Sequence, residues 1–244
     1  MTPTPSDLPP AAAHDRGPDG VDVVIPVKPL DRAKSRLAVL GDDVRRDLAL
    51  AFVRDVLTAV RGAAGLREVV VVTADEQVAA LVRSELGGRA RLVADTEPRE
   101  LNRALHRGVD DLRATRPDAD RTAVLALCAD LPALTSRALG DLLAVAPRSG
   151  AGFVADRTGT GTTAYLAPPA LFDPRFGPGS RDAHARAAVD LTARVPAELR
   201  ADVDSPADLA PLVAHPHLGG ATRAALARHG LDRDALAGTA LPRA

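Results

Sequence analysis

Two stretches of this 244-residue chain place carboxylates where they could do chemistry. Asp130, in Ala129-Asp130-Leu131-Pro132, directly follows the most apolar run of the sequence, Ala123 to Cys128. At the carboxyl end of a central strand it would project into the crevice where open α/β sheets bind ligands. A hard-oxygen donor there suits Mg²⁺, which takes one or two carboxylates plus phosphate oxygens; the alternative is a cap on the following turn. Asp202-Val203-Asp204 has two carboxylates at spacing two, which on an extended segment point the same way. Such a pair suits a divalent cation, against the plainer reading of a solvated loop ahead of a helix.

Opposite charges cluster elsewhere. Val23-Val24-Ile25-Pro26-Val27 is an apolar, β-branched run, and Lys28, Arg32, Lys34 and Arg36 follow within nine positions, opposed only by Asp31. A buried strand that delivers cations at its carboxyl end would meet an anion, and a nucleoside triphosphate fits; otherwise these are solvated surface charges. Thr158-Gly159-Thr160-Gly161-Thr162-Thr163 offers small hydroxyls and backbone amides to phosphate or carboxylate oxygens, or is a plain hairpin loop. Gly159 to Ala164 formally matches G-x-G-x-x-A, but Tyr165-Leu166-Ala167-Pro168-Pro169 follows where the dinucleotide fingerprint needs a helix. Gly177-Pro178-Gly179-Ser180 places Gly and Ser at a helix N-terminus, an anion site or an ordinary cap.

The elements that must position these residues read as an α/β fold with a mainly parallel central sheet. Strands are expected at Val21 to Val27, Glu68 to Thr73, Arg91 to Ala94, Ala123 to Cys128, Gly152 to Ala155 and Thr163 to Leu166. Val44, Leu48, Phe52, Val56 and Val60 recur at helical spacing, with Arg45, Arg46, Arg54 and Asp55 between them. Further helices are expected from the Asp75 cap to Leu86, from about Arg99 to Ala114, and from the Thr135 cap to Ala146. Two more would run from Gly179-Ser180 through Val189, and from Ser205-Pro206 onward. Residues 1–20, proline-rich and without an apolar signal core, read as a disordered tail. Residues 21–213 form the main domain, and 214–244 a helical or frayed extension.

Composition narrows the function. Aromatics make up 2% with no Trp, so stacking platforms for single-stranded nucleic acid are absent, and the net charge of −1 offers no general pull on nucleic acid or acidic membranes. One cysteine excludes an intrachain disulfide and a cysteine-based zinc site. No apolar run reaches the roughly 20 residues of a membrane helix, so a cytoplasmic location is expected. Neither G-x-x-x-x-G-K-[ST] nor G-x-S-x-G occurs, and His215-Pro216-His217 stands without a carboxylate neighbour in sequence.

Taken in order, Pro26-Val27-Lys28-Pro29-Leu30, Ala33-Lys34-Ser35-Arg36-Leu37, Leu101-Asn102-Arg103-Ala104-Leu105, Ala129-Asp130-Leu131-Pro132, Gly159 to Thr163, Phe176 to Ser180 and Asp202 to Leu209 resemble one family. It is the 2-phospho-L-lactate/phosphoenolpyruvate guanylyltransferase family of coenzyme F420 biosynthesis. The resemblance implies a nucleotidyltransferase fold of the glycosyltransferase-A kind, a Rossmann-like three-layer sandwich. It implies GMP transfer from GTP to phosphoenolpyruvate or 2-phospho-L-lactate, with Mg²⁺ as cofactor and pyrophosphate as leaving group. By motif, Asp130, Asp202 and Asp204 are then the metal carboxylates, and Thr162, Gly177 and Ser180 contact the three-carbon phospho-acid. Lys28, Lys34, Arg36 and Asn102 attend the nucleotide, and Lys28 and Asp130 act in catalysis. The product would pass to a downstream transferase of the same pathway, and a homodimer is compatible with the family. Pro26 and Pro29 depart from the glycine-rich loop of many sugar-nucleotide enzymes, so cationic side chains must do more there. The competing readings are a related nucleotidyltransferase acting on a sugar-phosphate or molybdopterin-type acceptor, and a nucleotide-binding module without turnover.

Overall fold

The computed structural model describes residues 20–96 and 100–239. The expected N-terminal tail, the turn at Pro98 and the helix start at Arg99 lie outside the described residues, apart from Gly20.

Seven strands form one sheet: β1 (Val21–Val27), β2 (Leu66–Thr73), β3 (Ala90–Ala94), β4 (Ala123–Leu127), β5 (Ala151–Ala155), β6 (Thr162–Ala167) and β7 (Ala188–Asp190). Their order is β3-β2-β1-β4-β6-β5-β7, and β6 is the strand that runs against the rest. The central strands are apolar on both faces because both are covered. Val23, Ile25, Val69, Val71, Leu125 and Leu127 meet helices α1 (Asp42–Gly62), α2 (Glu76–Leu86) and α4 (Ser136–Val145). The alternate residues Val24, Val70, Val72, Val124 and Ala126 meet α3 (Leu101–Thr115).

Helix α3 approaches β1 closely. A Cβ on Gly108 would lie 2.5 Å from Val24 Cγ1, so only glycine fits there. Near the opposite end of β1, fully buried Asp22 is neutralised by Arg116 at 2.6 Å and accepts from Thr122 Oγ1 at 2.7 Å.

Helix α1 is buried along two stripes. One packs on the sheet; the other, Leu48, Ala51 and Phe52, packs with Val203, Leu209, Leu218, Leu226 and Leu236. Asp55, expected on the polar face, is buried instead. Its carboxylate accepts the backbone N–H groups of Ala221 and Thr222, both at 2.9 Å, and so caps α7 (Gly220–Arg228). Burial raises the Asp55 pKa against those bonds. The C-terminal residues, with α6 (Pro206–Leu209) and α8 (Arg233–Gly238), therefore make a further layer on α1.

One expected element is corrected. The helix opening at Ser180 does not continue through Val189; α5 spans Ser180–Ala185, and Ala188–Asp190 adds β7 to the edge of the sheet. Val189 pairs with Gly152 of β5, and sheet pairing there overrides the helical pattern. Among the described residues no helix is long and apolar enough to cross a membrane.

The Gly108 contact makes a test of the α3–β1 packing. Gly108→Ala should lower unfolding free energy by about 1–3 kcal/mol through overpacking, despite a helix-propensity gain of up to about 1 kcal/mol. Urea denaturation reads it, and an unchanged or higher midpoint would mean that α3 lifts away at no cost.

Candidate active site

The loop after β1 is held by side chains distant in sequence. Arg45, in the first turn of α1, is only 3% exposed. Its guanidinium donates to the carbonyls of Leu30 and Ala33, both at 2.6 Å, and of Asp31 at 3.1 Å. Asp75 caps α2 with Oδ1 and uses Oδ2 to accept the Leu30 N–H at 2.8 Å. Lys34 comes immediately after this clamped segment and has φ 55°, the one non-glycine positive φ among the described residues. That left-handed conformation is disfavoured for a side chain with a Cβ.

The bend turns Lys34 inward. Its Nζ meets Asp130 Oδ2 in a very short contact and Asp204 Oδ1 at 2.7 Å. Burial alone would lower the lysine pKa, but Asp130 and Asp204 outweigh it and raise it. Burial also works against the charge on Asp204, yet Lys34, Arg36 and Lys28 hold its pKa below the ordinary value. Arg36 lies 3.6 Å from Asp204 and is largely exposed. The Asp-Val-Asp segment reaches this place because Val203 N–H donates to the Asp130 carbonyl and the Val203 side chain is fully buried. Asp202 is pushed up to about 7 by burial and by Asp130, Asp204 and Asp156. Burial, with Asp130 and Asp202, also pushes the Cys128 thiol well up, so it is no thiolate nucleophile at neutral pH.

These carboxylates fit a hard divalent cation of the open kind. Asp130 Oδ1 is buried with no hydrogen-bond partner, an orphan acceptor of the sort a cation satisfies. Among the described residues no three acidic, His or Cys side chains converge as a closed cage. Mg²⁺ does not require one, since substrate phosphates supply part of its shell.

The Gly/Thr loop lies beside the end of β4, where Cys128 N–H donates to the Thr163 carbonyl. Its amides are not free for a ligand. Asp156 accepts from Thr160 N–H at 3.0 Å and from Gly161 N–H at 2.9 Å. The first amides of α5 are likewise used, Ser180 N–H on the Gly177 carbonyl and Arg181 N–H on the Thr160 carbonyl. Of the amides expected to meet an anion at Thr158–Thr163 and at Gly179-Ser180, those of Gly159, Thr160, Gly161 and Ser180 are therefore engaged by internal acceptors. What remains are hydroxyls, above all that of Thr162, 2.9 Å from His184 Nδ1.

Two residues expected at the nucleotide are engaged otherwise. Lys34 bridges two carboxylates, and Asn102 clasps the Phe176 backbone, accepting its N–H at 2.8 Å and donating to its carbonyl at 3.0 Å. Asn102 thereby fixes the approach to Gly177. A cavity of about 340 Å³ gathers Lys28, Lys34, Arg36, Asp130, Asp204 and Phe176 on its walls. Thr162, Gly177, Ser180 and Asp202 are outside that lining. Asp156, which organises the Gly/Thr loop, is near enough to Asp202 to raise its pKa, and Arg200 ties that loop to the Asp-Val-Asp segment through the Ala155 and Asp156 carbonyls.

Sequence reasoning missed Arg45, Asp75 as a loop anchor, Asp156 and His184. Arg45 had a signal: it lies three, four and seven positions before Leu48, Ala49 and Phe52, on the buried stripe. The other three work through contacts that local pattern does not contain.

The profile of the family described as "Guanylyl transferase CofC like" matches residues 21–235. The chain belongs to the CofC-like guanylyltransferase family. A protein named phosphoenolpyruvate guanylyltransferase from Thermomonospora curvata is 46% identical over 189 residues, 77% of this chain and 80% of the relative. One of the same name from Nocardia farcinica is 44% identical over 196 residues, 79% of this chain and 84% of the relative. Among solved structures, a putative nucleotide-diphospho-sugar transferase from Desulfovibrio desulfuricans G20 aligns with TM-score 0.62 at 17% identity, covering 91% of this chain and 98% of that one. A 4-diphosphocytidyl-2C-methyl-D-erythritol synthase gives TM-score 0.53 at 18% identity, covering 78% and 95%. These two likenesses carry the fold, a nucleotidyltransferase α/β sandwich. CofC-like family membership makes the chain an enzyme of the nucleotidyltransferase class.

Two measurements follow from this geometry. Arg45→Met should leave three loop carbonyls without their donor and cost about 2–4 kcal/mol of stability. Hydrogen exchange should then speed up first in the 30–36 loop, and uniform exchange across the chain would count against a local clamp. The second concerns acid stability. Burial, then the Arg175 guanidinium, push the His184 pKa from 6.5 down to about 4. The unfolded chain therefore takes up this proton first, so the contribution is complete above 6.5 and is lost as pH falls towards 4. Urea midpoints at about pH 7.5 and 5 should converge in His184→Gln relative to the parent; an identical acid decline in both would sink the assignment.

Proposed function

We propose that the chain transfers GMP from GTP to phosphoenolpyruvate, with 2-phospho-L-lactate as the alternative acceptor, in coenzyme F420 biosynthesis. Membership of a guanylyltransferase family supports the transfer, and the names of relatives at 46% and 44% identity support phosphoenolpyruvate. The observation that carries the reading is the meeting of Lys34, Asp130 and Asp204 at a cavity whose other walls bear Lys28 and Arg36.

In the reaction a phosphate oxygen of the acceptor forms a bond to the α-phosphorus of GTP. The bond from that phosphorus to the oxygen bridging the β-phosphorus breaks, and pyrophosphate leaves with the electron pair. The nucleophile is already anionic, so no side chain has to remove a proton. The protein's task is to hold two mutually repelling anions in line and to offset charge on the leaving group. Lys28, exposed and without an ion-pair partner within salt-bridge distance among the described residues, and Arg36 serve the triphosphate. Asp130, Asp202 and Asp204 would hold Mg²⁺, which when bound supplies charge neutralisation and Lewis-acid polarisation of phosphoryl oxygens. Lys34 holds Asp130 and Asp204 together and favours the ionised form of Asp204. Thr162, with Gly177 and Ser180, receives the acceptor, and Asn102 positions the Phe176–Gly177 backbone. The phosphoanhydride product suits a later transferase that displaces GMP. A homodimer and a cytoplasmic location complete the proposal.

A matrix of nucleoside triphosphates against phosphoenolpyruvate, 2-phospho-L-lactate and 3-phosphoglycerate, with mass detection, should give its strongest product from GTP and phosphoenolpyruvate. GTP binding without Mg²⁺-dependent pyrophosphate release would return the chain to a non-catalytic module. Asp130→Asn should retain the fold and lose about 10²–10³-fold in turnover; near-normal pyrophosphate release would remove Asp130 from the mechanism. Lys28 and Lys34 are the only two lysines of the chain, and Lys34 is largely buried. An amine-reactive reagent followed by peptide mapping should therefore modify Lys28 well ahead of Lys34, and GTP should protect it. Equal labelling with and without GTP would place the triphosphate elsewhere.

A further inference from the structure

Thr162 Oγ1 has one hydrogen-bond partner among the described residues, His184 Nδ1 at 2.9 Å. The other ring nitrogen settles what passes between them. His184 Nε2 lies 2.9 Å from the backbone nitrogen of Arg175, whose N–H can only donate. Nε2 therefore carries a lone pair, and in the neutral ring the proton sits on Nδ1. It follows that His184 donates to Thr162 and that the threonine oxygen accepts. A hydroxyl has a single proton of its own, and with the histidine acting as donor that proton must go to another acceptor.

The ring cannot turn to change these roles. His184 is 2% exposed and stacks on Tyr165 with centroids 4.7 Å apart and on Phe153 at 5.8 Å, with the edge of Phe176 at 5.4 Å. Tyr165 is the chain's one tyrosine, and Phe153 and Phe176 are two of its four phenylalanines. Scarce aromatics are thus spent on holding one imidazole.

We infer that His184 is the positioning residue of the acceptor site: its Nδ1–H occupies one lone pair of Thr162 and leaves the hydroxyl proton to be donated elsewhere, so the site favours an anionic oxygen of the phospho-acid. The inference rests on Thr162 belonging to the acceptor site. A hydroxyl proton released in this way favours a carboxylate or phosphate oxygen.

Nitrogen-15 spectra of imidazole-labelled protein should show His184 neutral with Nδ1 protonated; the opposite tautomer overturns the inference whatever the kinetics. Two variants separate positioning from packing. His184→Asn puts an amide near Nδ1 and can still donate to Thr162, whereas His184→Gln reaches the Nε2 position and can answer only Arg175. Loss of an orienting bond to a charged acceptor corresponds to about 10–100-fold, so Gln should raise the phosphoenolpyruvate KM by that order with little change in the GTP KM. Asn should recover most of the loss. Equal defects in both variants, or equal rises in both KM values, would make His184 a packing residue and overturn the inference. Thr162→Val tests the underlying reading separately. It should raise the phosphoenolpyruvate KM more than the GTP KM, and an unchanged acceptor KM would remove Thr162 from the acceptor site even with the expected tautomer.

Discussion

The site depends on one buried guanidinium. Arg45 satisfies three backbone carbonyls of the loop after β1, and nothing else in the described structure could satisfy them as a set. A chain that turns back on itself over four residues exposes more acceptors than its own amides can serve, and a planar fork of five donors meets that demand. With Leu30, Asp31 and Ala33 fixed, Lys34 is forced into the left-handed conformation that sends its ammonium between Asp130 and Asp204. Removing the guanidinium would therefore reach the carboxylates although Arg45 touches neither. The prolines at 26 and 29 belong to the same arrangement. They limit the loop's freedom, and side chains rather than backbone amides must meet the anion.

The electrostatics of the cluster are unbalanced by design of the fold. Asp130 and Asp204 meet at a single buried ammonium, Asp202 is near enough to feel both carboxylates, and Arg36 and Lys28 stand at a greater remove. A lysine suits the central place because it is a compact charge, where an arginine fork would need a wider gap. The chain otherwise uses arginine for 29 of its 31 cations, and both exceptions lie in this one loop. The unmet part of the negative charge falls on Asp202 and on the unpartnered oxygen of Asp130. That imbalance is consistent with the proposal that a cation and its counter-anions complete the site.

Much of this was legible in the sequence because the relevant signals were local. Continuous apolar runs reported a sheet covered on both faces, and Asp130 stood out because it ends the most buried of them. The Asp-Val-Asp triplet carried its own geometry, since burial of Val203 sets the two carboxylates side by side. Residues whose work is long-range were not legible. His184 lies within a short helix and gains its role from Arg175, Thr162 and the packing of three rings, none of which leaves a periodic trace. Val189 was misread for a related reason: a three-residue edge strand exists because β5 offers a pairing edge, not because of its own pattern. The Gly/Thr loop misled in the opposite sense. Its amides looked available, and only the fold reveals that Asp156 accepts from two of them, those of Thr160 and Gly161.

That last substitution bears on how the two substrates are told apart. An amide nest accepts any anion of suitable size, whereas a hydroxyl held by a fixed donor presents one proton in one direction. With Asp156 engaging the Thr160 and Gly161 amides and His184 bonded to Thr162, the proposed acceptor site would exchange general anion affinity for geometry. On the proposed reading the triphosphate side has the opposite character, with the exposed Lys28 and Arg36 on the cavity wall. A highly charged, mobile leaving group is served by diffuse positive charge, and a small acceptor that must attack in line is served by a fixed contact. The two halves meet at Asp130 and Asp202, which the Asp-Val-Asp segment and Arg200 link to the acceptor loop. On the proposed reading, selectivity for a small phospho-acid would therefore rest on the fixed contact at Thr162, and tolerance of the triphosphate on the exposed cations of the cavity.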